Sequence, residues 1–326
     1  MFKHTPRPNG MCSGTEAGHG HHNPASGRLP GGRQLRFMKV YHKSVILSRI
    51  CGRLYTIDLH YPQRTSGHTP LVRLRVNLRL RNEEWNMTPI ELDVHTHTIA
   101  SGHAYATITE MASAASRQGL KLLGITEHTK GIAGSCKDIY FLNLKVVPRQ
   151  MFGIQLMLGA EINIIDHKGT LDLGERYMKH LDLRIAGIHK MCYKPGSPRE
   201  NTDAILGAIA NPYVDIISHP DDGSCPLIYE EVVAAAKRHH TLLEINNNSL
   251  RTPTRKHARE NTLVMLDLCR KQQVPVIASS DAHFTSDIAN LDHVQPLLEE
   301  ADFPERLVIN HSLEQFREFI AHNRTL

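Results

Sequence analysis

Short β-branched runs alternate with amphipathic segments along residues 87–326. The runs that predict strands cover 90–95, 122–128, 157–164, 183–189, 214–220, 241–247 and 275–281, with a short last one at 306–310. The segments that predict helices include 107–118, 229–240, 256–273 and 312–322. Strand and helix that alternate about seven times predict a parallel sheet, and closure of that sheet into a barrel is the economical arrangement.

Two local features refine this pattern. Thr107 or Thr109 is a suitable N-cap for the first predicted helix, and Glu110 falls in its first turn. The segment HKGTLDL (167–173) carries a Lys-Gly turn and predicts a small hairpin. We therefore expect strand–helix alternation that a hairpin interrupts at one point.

Charge is divided unevenly along the chain. The formal net charge of +5 combines +10 over residues 1–86 with −5 over residues 87–326. Residues 1–35 are rich in Gly, Pro, Ser and His and show no apolar periodicity. They are predicted to be disordered, because they cannot bury enough surface to offset chain entropy. His19, His21 and His22 could bind a metal weakly, but a flexible tract lacks the fixed geometry of a specific site.

The basic leader, residues 1–86, has several interpretations. Residues 69–80 alternate apolar and basic side chains, as in a half-buried strand, an RNA-binding or membrane-surface stretch, or an Arg-rich targeting segment. Met87 is followed at once by TPIELDVHTH, which is typical of the opening strand of a domain. We favour an extension of low order over 1–86, which need not belong to the native protein, and a folded domain over 87–326.

Several classes of protein are disfavoured. No apolar run approaches the roughly 18–20 residues that span a bilayer. The six cysteines form no CxxC pair, which argues against a zinc ribbon or a dense disulfide framework and favours a cytoplasmic location. The sequence contains no GxSxG elbow, no Gly-rich P-loop and no GxGxxG after a strand, so nucleotide-dependent chemistry is disfavoured. We expect neither a membrane nor a nucleic acid to be required as a partner.

Histidine and carboxylate side chains recur where the predicted strands end. In a parallel barrel these ends meet at one rim, where active sites form. The candidates are His95, His97, His128, Glu161, His189, His219, Asp281 and His283, together with His103 in the loop after the first strand. Imidazole and carboxylate are the ligands of Zn²⁺ and related divalent ions, and nine ligands suit two or three ions rather than one.

Clustered metal ions indicate hydrolysis of a charged ester. Two or more ions can clamp a phosphoryl group and generate a bound hydroxide as the nucleophile, so no Ser, Cys or Thr nucleophile is required. The side chains of His95 and His97 point to the same face of an extended strand, because strand side chains alternate, and can therefore chelate one ion.

The motifs that carry this chemistry resemble those of the PHP (polymerase and histidinol phosphatase) superfamily, with the closest likeness to YcdX-type bacterial phosphatases. They run in order over residues 88–326 as HTH, ASGHAY, ITEH, GAEIN, AGIH, IISHP, LEINNNS and SSDAH. The resemblance implies a distorted (β/α)7 TIM-like barrel. It also implies three bound metals, usually zinc with Mn²⁺ or Fe²⁺ as alternatives, and hydrolysis of a small phosphorylated substrate.

The resemblance also implies how the ligands divide among the metals. The first metal would be held by His95, His97, Glu161 and Asp281, the second by Glu161, His189 and His219, and the third by His103, His128 and His283. Glu161, Asp281 and His219 would form the catalytic set. Two positions depart from the usual family pattern, namely Glu127 in place of Asp and Ala282 in place of Ser; the longer Glu127 could alter a contact to a ligand.

Four further polar residues are candidates for the site. Arg149 and Lys190 could bind a substrate phosphate, or could be solvated surface charges. Asn246 and Asn247, at the end of the sixth predicted strand, could orient ligands or merely satisfy backbone groups.

Two other classes of function compete with a phosphoesterase. An amidohydrolase-type metal hydrolase also opens with HxH, but usually has one or two metals and often a bridging Lys, whereas Glu161 fills that role here. A non-catalytic regulatory or polymerase-accessory module would not need the full ligand set.

Overall fold

The computed structural model describes residues 46–50, 53–57, 78–80 and 89–322. The chain divides into two compact units, residues 1–86 and residues 87–326. The first contains a small antiparallel sheet of β1 (Ile46–Ile50), β2 (Arg53–Ile57) and β3 (Leu78–Leu80), in that order. The strand predicted over 69–80 is observed at its end, over β3. The remainder of that prediction and the disorder predicted over 1–35 concern residues outside those described.

The second unit is built on a parallel sheet that follows chain order. Its strands are β4 (Leu92–Asp93), β5 (Leu122–His128), β7 (Ile154–Ile164), β8 (Leu183–Ile188), β9 (Ile216–Ile217), β10 (Leu242–Asn246) and β11 (Val276–Ser279). Every neighbouring pair from β4 to β11 is parallel. A short β6 (Gln150–Met151) pairs antiparallel with the start of β7. The sheet confirms the α/β barrel class.

Helices pack around this sheet. They are α1 (Ile108–Arg117), α2 (Asp138–Asn143), α3 (Glu175–Met178), α4 (Pro198–Ile209), α5 (Tyr229–His239), α6 (Asn247–Arg251), α7 (Ala258–Gln272), α8 (Val294–Glu300) and α9 (Leu313–His322). Thr107 caps α1 in a capping box with Glu110, which confirms the first of the two predicted caps. Ser197 and Glu200 form a second capping box on α4. No helix among the described residues is long and apolar enough to cross a membrane.

Three apolar clusters divide the core. One joins β4, β5, β8, β9, β10 and β11 with Phe316 and Ile320 of α9, so α9 closes the barrel interior at the amino ends of the strands. A second lies between the sheet and α4, α5, α7 and α8. A third lies between the sheet and α1, α2 and α3. The opposite end of the barrel, where the strands finish, is therefore left for polar side chains.

The barrel closes where β4, its first strand, meets β11, its last, and side chains supply much of the hydrogen bonding at this seam. A parallel bridge pairs Thr96 with Ala282, and His97 N donates to Ala282 O at 2.9 Å. Asn310 is fully buried, and its amide donates to Leu92 O on β4 (3.1 Å) and to Ala278 O on β11 (2.7 Å). Its Oδ1 accepts from Ala278 N at 2.7 Å. One side chain thus makes three of the hydrogen bonds that a longer ladder would supply between these strands.

The prediction of a last strand over 306–310 is wrong. The segment forms two 3-10 turns, Glu305–Leu307 and Ile309–His311, with a single bridge between Val276 and Val308. These turns bring the Asn310 side chain, rather than the backbone, to the seam. The predicted hairpin at 167–173 is observed as a turn at Gly169 and a bridge from Ile164 to Leu171.

We expect the stability of the barrel to depend strongly on the polar contacts at the seam. Asn310→Ala leaves three buried backbone groups without partners, so we expect the free energy of unfolding to fall by about 3–5 kcal/mol. Urea denaturation of the two proteins measures the difference. Asn143→Ala, an exposed asparagine at the end of α2, should change stability by less than about 0.5 kcal/mol. Equal stabilities for the two variants would contradict the role of the seam.

Candidate metal centre

The carboxyl ends of the parallel strands carry the predicted ligands to one rim. His95 and His97 follow β4, His128 is the last residue of β5, and Glu161 lies three residues before the end of β7. His189 follows β8 directly, His219 comes two residues after β9, and Asp281 and His283 follow β11. Because β5 and β7 pair in register, His128 lies directly beside Glu161. The structure brings all nine predicted side chains together through the contacts described next.

Glu161 occupies the centre of this group and is fully buried. Its Oε2 lies 3.2 Å from His95 Nε2, 3.5 Å from His97 Nε2 and 2.9 Å from His128 Nδ1. Its Oε1 lies 3.1 Å from His189 Nε2 and 2.7 Å from His219 Nε2. One carboxylate therefore faces five imidazole rings that come from the ends of four strands.

Asp281 is the second carboxylate of the group. Its Oδ1 lies 3.3 Å from His97 Nε2 and 3.6 Å from His283 Nδ1. His283 Nε2 in turn lies 2.9 Å from His103 Nε2, which joins the loop histidine to the cluster. Asp281 and His219 both have positive φ values, 55° and 30°, in a region that costs energy for residues other than glycine. Such strain is characteristic of functional positions.

The hydrogen bonds of the rings show which nitrogen atoms are free. His103 Nδ1 donates to Ser101 O and His283 Nδ1 donates to Asp281 O, so the two Nε2 atoms that face each other both present lone pairs. The same is true of His95 and His97, whose Nε2 atoms are 3.1 Å apart while each Nδ1 is held by an acceptor. Lone pairs that converge in this way are what a cation requires of its ligands.

The unsatisfied buried atoms support the same conclusion. Glu161 Oε2, His128 Nδ1 and His189 Nδ1 are buried and have no hydrogen-bond partner among the described residues. The 2.9 Å contact between His128 and Glu161 lacks hydrogen-bond geometry. Three groups have ligand atoms that all lie within 4.8 Å of one another: His95, His97 and Glu161; His128, Glu161 and His189; and His97, His128 and His283. These residues fit bound metal ions.

Electrostatics keep most of these groups in the protonation state that metals need. Burial and the neighbouring His128 hold the pKa of His97 well below its usual value. Burial raises the pKa values of Glu161 and Asp281, but the histidines around them outweigh it and hold both well below the usual range. Neutral imidazole and ionised carboxylate are the ligand forms.

His95 is the exception, and its surroundings explain why. Burial lowers its pKa, but the carboxylates of Glu244, Glu161 and Asp281 outweigh burial and raise the pKa well above the usual value. The three carboxylates therefore stabilise a positive charge at this ring. A metal cation at Nε2 supplies that charge and displaces the proton.

Glu244 is a functional residue that the sequence analysis missed. It is fully buried on β10, and its Oε1 accepts from His95 Nδ1 at 2.7 Å. Its Oε2 accepts from the backbone N of His219 at 2.8 Å and from Asn246 Nδ2 at 3.0 Å. One carboxylate therefore orients two ligands from different strands. The signal in the sequence was a carboxylate inside the apolar run of a predicted strand, LLEIN.

Glu127 orients His97 indirectly, through the hydroxyl group of Ser101. Ser101 Oγ donates to Glu127 Oε2 at 2.6 Å and accepts from His97 Nδ1 and from His128 N, both at 2.9 Å. Glu127 also accepts from Thr98 Oγ1 at 2.5 Å. The departure noted at this position thus contacts a ligand indirectly and fixes the ring nitrogen that His97 presents.

The two asparagines at the end of β10, Asn246 and Asn247, have different roles. Asn246 Nδ2 lies 3.3 Å from Asp281 Oδ2, and its Oδ1 accepts from Ser249 N at 2.8 Å. Asn247 Oδ1 accepts from the backbone N of His293 at 2.9 Å. Asn246 therefore orients a ligand, whereas Asn247 satisfies a backbone group.

A cavity of about 510 Å³ opens above the cluster. The cluster forms its floor, and Lys190 and Arg255 line it together with the apolar side chains of Ile132, Ile188 and Met191. Lys190, one of the two candidate phosphate-binding residues, thus lies at the cavity. The cavity offers room for a small molecule directly against the histidine and carboxylate groups.

Arg149 is not brought to this cavity, which corrects the expectation that it binds substrate. Its backbone O accepts from Leu156 N at the amino end of β7, the end opposite the cluster. Its guanidinium is held by Asp182, with 2.6 Å between Nε and Oδ2, and donates to the backbone O atoms of Leu144 and Val147. Arg149 fastens the loop before β6 to the amino side of the barrel.

Comparison with known proteins identifies relatives of this chain. The PHP domain family model matches residues 93–255. A probable phosphatase from Acetivibrio thermocellus is 42% identical over 233 residues, which cover 72% of this chain and 96% of that protein. A probable phosphatase from Clostridium novyi is 47% identical over 219 residues, 67% of this chain and 89% of that protein.

A solved structure shows a weaker likeness. The histidinol phosphate phosphatase from Lactococcus lactis, solved with zinc, L-histidinol and phosphate, superposes with a TM-score of 0.45 at 15% identity. The superposition covers 66% of this chain and 94% of that one. A likeness this weak does not bear on function.

Glu244 should control metal affinity although it is not a ligand. In Glu244→Gln only one oxygen remains as an acceptor, whereas two carboxylate oxygens now accept, one from His95 Nδ1 and the other from His219 N. We expect metal affinity to fall about 10–100-fold, measured by competition with a chromophoric chelator. Glu260→Gln, at an exposed position in the first turn of α7, is the control and should leave affinity unchanged. Equal affinities would contradict the role given to Glu244.

Proposed function

The chain belongs to the PHP domain family, and we propose that it is a metal-dependent phosphatase that hydrolyses a small phosphate ester. The observation that carries this proposal is the convergence of seven histidines and Asp281 around buried Glu161 at the floor of an open cavity. The names of the relatives from Acetivibrio thermocellus and Clostridium novyi agree with it.

We propose zinc as the metal, with Mn²⁺ or Fe²⁺ as alternatives, and three ions per chain. The first would be held by His95, His97, Glu161 and Asp281, the second by Glu161, His189 and His219, and the third by His103, His128 and His283. The three groups of close ligand atoms support more than one ion, because their six members exceed the four protein ligands that one such ion usually takes. They overlap at Glu161, His97 and His128, which supports ions close to one another.

Bound metal ions would supply the positive charge that polarises a phosphoryl oxygen and activates a water molecule. Glu161, Asp281 and His219, the proposed catalytic set, would hold those ions in place. Burial, with the charge of Arg255, lowers the pKa of His219 to about 4, so its ring is neutral and available as a ligand at neutral pH. Lys190 is proposed to lie beside the bound substrate.

A cysteine nucleophile is disfavoured by protonation. Cys136 and Cys192 contact the backbone O atoms of His128 and His189, next to the cluster. Burial raises the pKa of Cys136 to about 12 and that of Cys192 to about 11, so both thiols stay protonated at neutral pH. A thiolate, not a thiol, is the nucleophile in cysteine catalysis.

We place this activity in residues 87–326. That range forms a compact unit by itself. The Acetivibrio thermocellus relative aligns over 96% of its own length with only 72% of this chain. The YcdX-type assignment within the family stays a prediction.

Loss of a ligand should remove the activity. The full chain is loaded with Zn²⁺ or Mn²⁺ and given p-nitrophenyl phosphate. His95→Ala and His97→Ala should each reduce turnover at least about 100-fold, because the charge that stabilises the transition state is lost. His180→Ala, at an exposed histidine after α3, is the control and should retain full turnover. Turnover of the unaltered chain no higher than that of these two variants would refute the proposed activity.

The metal content discriminates between the proposed function and its main competitor. Inductively coupled plasma mass spectrometry should find about three ions per chain. Dialysis against a chelator should abolish turnover, and added Zn²⁺ or Mn²⁺ should restore it. One ion per chain would favour the amidohydrolase alternative. Three ions without turnover on any phosphate ester would favour the non-catalytic module.

A further inference from the structure

Two cationic side chains besides the histidines line the cavity, and they differ in what holds them. Lys190 Nζ lies 3.3 Å from Asp222 Oδ2 and 3.4 Å from both Ser224 Oγ and Thr254 O. Its charge is therefore already balanced. The guanidinium of Arg255 lines the same cavity without an acceptor or an ion-pair partner within the described part of the chain.

The backbone around Arg255 is anchored, so this side chain has a defined position. Arg255 lies between α6 and α7, and its N donates to Thr252 O at 3.2 Å. On either side of it, Thr254 O accepts from Lys190 Nζ, and Lys256 O accepts from Gly223 N at 2.7 Å. The loop is thus tied to the segments that follow β8 and β9, each of which carries a proposed metal ligand.

Arg255 shares its cavity with the proposed metal ligands. It lines this cavity together with His189, His219 and Asp281. The guanidinium therefore lies at the same opening as the metal centre, and among the described residues no salt bridge holds it there. A partly buried cation next to a site for further cations is unfavourable unless an anion binds between them.

We propose that Arg255 binds the phosphate group of the substrate, with its paired N–H donors on phosphate oxygens. This inference rests on the proposed function and deepens it. Guanidinium presents donors in a planar fork that matches two phosphate oxygens, which an ammonium group cannot reproduce. A monoester has three terminal oxygens, so two can accept from the fork while the third faces the metal centre, whereas a diester has only two terminal oxygens. Arg255 therefore selects phosphate monoesters over diesters.

Binding of inorganic phosphate tests this without reference to turnover. The metal-loaded full chain is titrated with phosphate by calorimetry, beside Arg255→Met, Arg255→Lys and Lys256→Met. Lys256 is the matched control, because it is the next residue, is exposed and does not line the cavity. We expect the dissociation constant to rise about 10–100-fold in Arg255→Met, to rise less in Arg255→Lys, and to stay within about twofold in Lys256→Met. The metal content of all three variants should equal that of the unaltered chain.

Two results would overturn the proposal: the unaltered metal-loaded chain does not bind phosphate, or Arg255→Met with full metal content binds phosphate as tightly as the unaltered chain. Failure of the proposed function gives a different result. In that case phosphate binding still depends on Arg255, but p-nitrophenyl phosphate is not hydrolysed. If the chain does hydrolyse it, Arg255→Met should raise KM for p-nitrophenyl phosphate by a factor similar to that for phosphate binding. The ratio of kcat/KM for this monoester to kcat/KM for the diester bis(p-nitrophenyl) phosphate should also fall in Arg255→Met.

Discussion

The buried carboxylate of Glu161, with five imidazole rings within 3.5 Å of its two oxygens, is the contact around which the other parts of the site are arranged. An ionised carboxylate without water is costly unless positive charge or donors replace its hydration. Four of the facing nitrogens are Nε2 atoms, and those of His95 and His97 are lone-pair atoms because each Nδ1 already donates. Metal ions held by these residues would supply the missing positive charge and accept the lone pairs, so an arrangement that is unfavourable by itself would become favourable when metal binds.

Closure of the barrel makes this arrangement possible. His95 and His97 follow the first strand and Asp281 follows the last, yet His97 Nε2 and Asp281 Oδ1 are 3.3 Å apart. Backbone pairing across the seam is short, so side chains take its place. Asn310 joins β4 to β11, and the buried carboxylate of Asp93 accepts from Ser280 N and Oγ. The stability of the fold and the geometry of the site therefore depend on the same few polar contacts.

A second layer of carboxylates decides which nitrogen each histidine presents. Glu244 holds His95 directly, and Glu127 holds His97 through Ser101. Spacing within the sequence predicts that two histidines share a face, but it carries no information about ring orientation. That depends on partners 149 residues away in one case and in the next strand in the other. This is why Glu244 escaped notice although it lies within a correctly predicted strand.

The sequence by itself determined the order of strands and the positions where histidine and carboxylate end them, because strand periodicity and end positions are local properties of the chain. The structure accordingly matches the predicted strand at 122–128 residue for residue and places the nine predicted side chains at one rim. The features that depend on barrel closure were decided only by the tertiary structure. Residues 306–310 form 3-10 turns instead of a strand, and Asn310 from this segment hydrogen-bonds across the seam between β4 and β11. The tertiary structure also separated two arginines that look alike in the sequence, since Arg149 lies at the amino end of the barrel and Arg255 faces the cavity. The partner of each guanidinium depends on long-range packing: Asp182 holds Arg149, whereas Arg255 has no salt-bridge partner among the described residues.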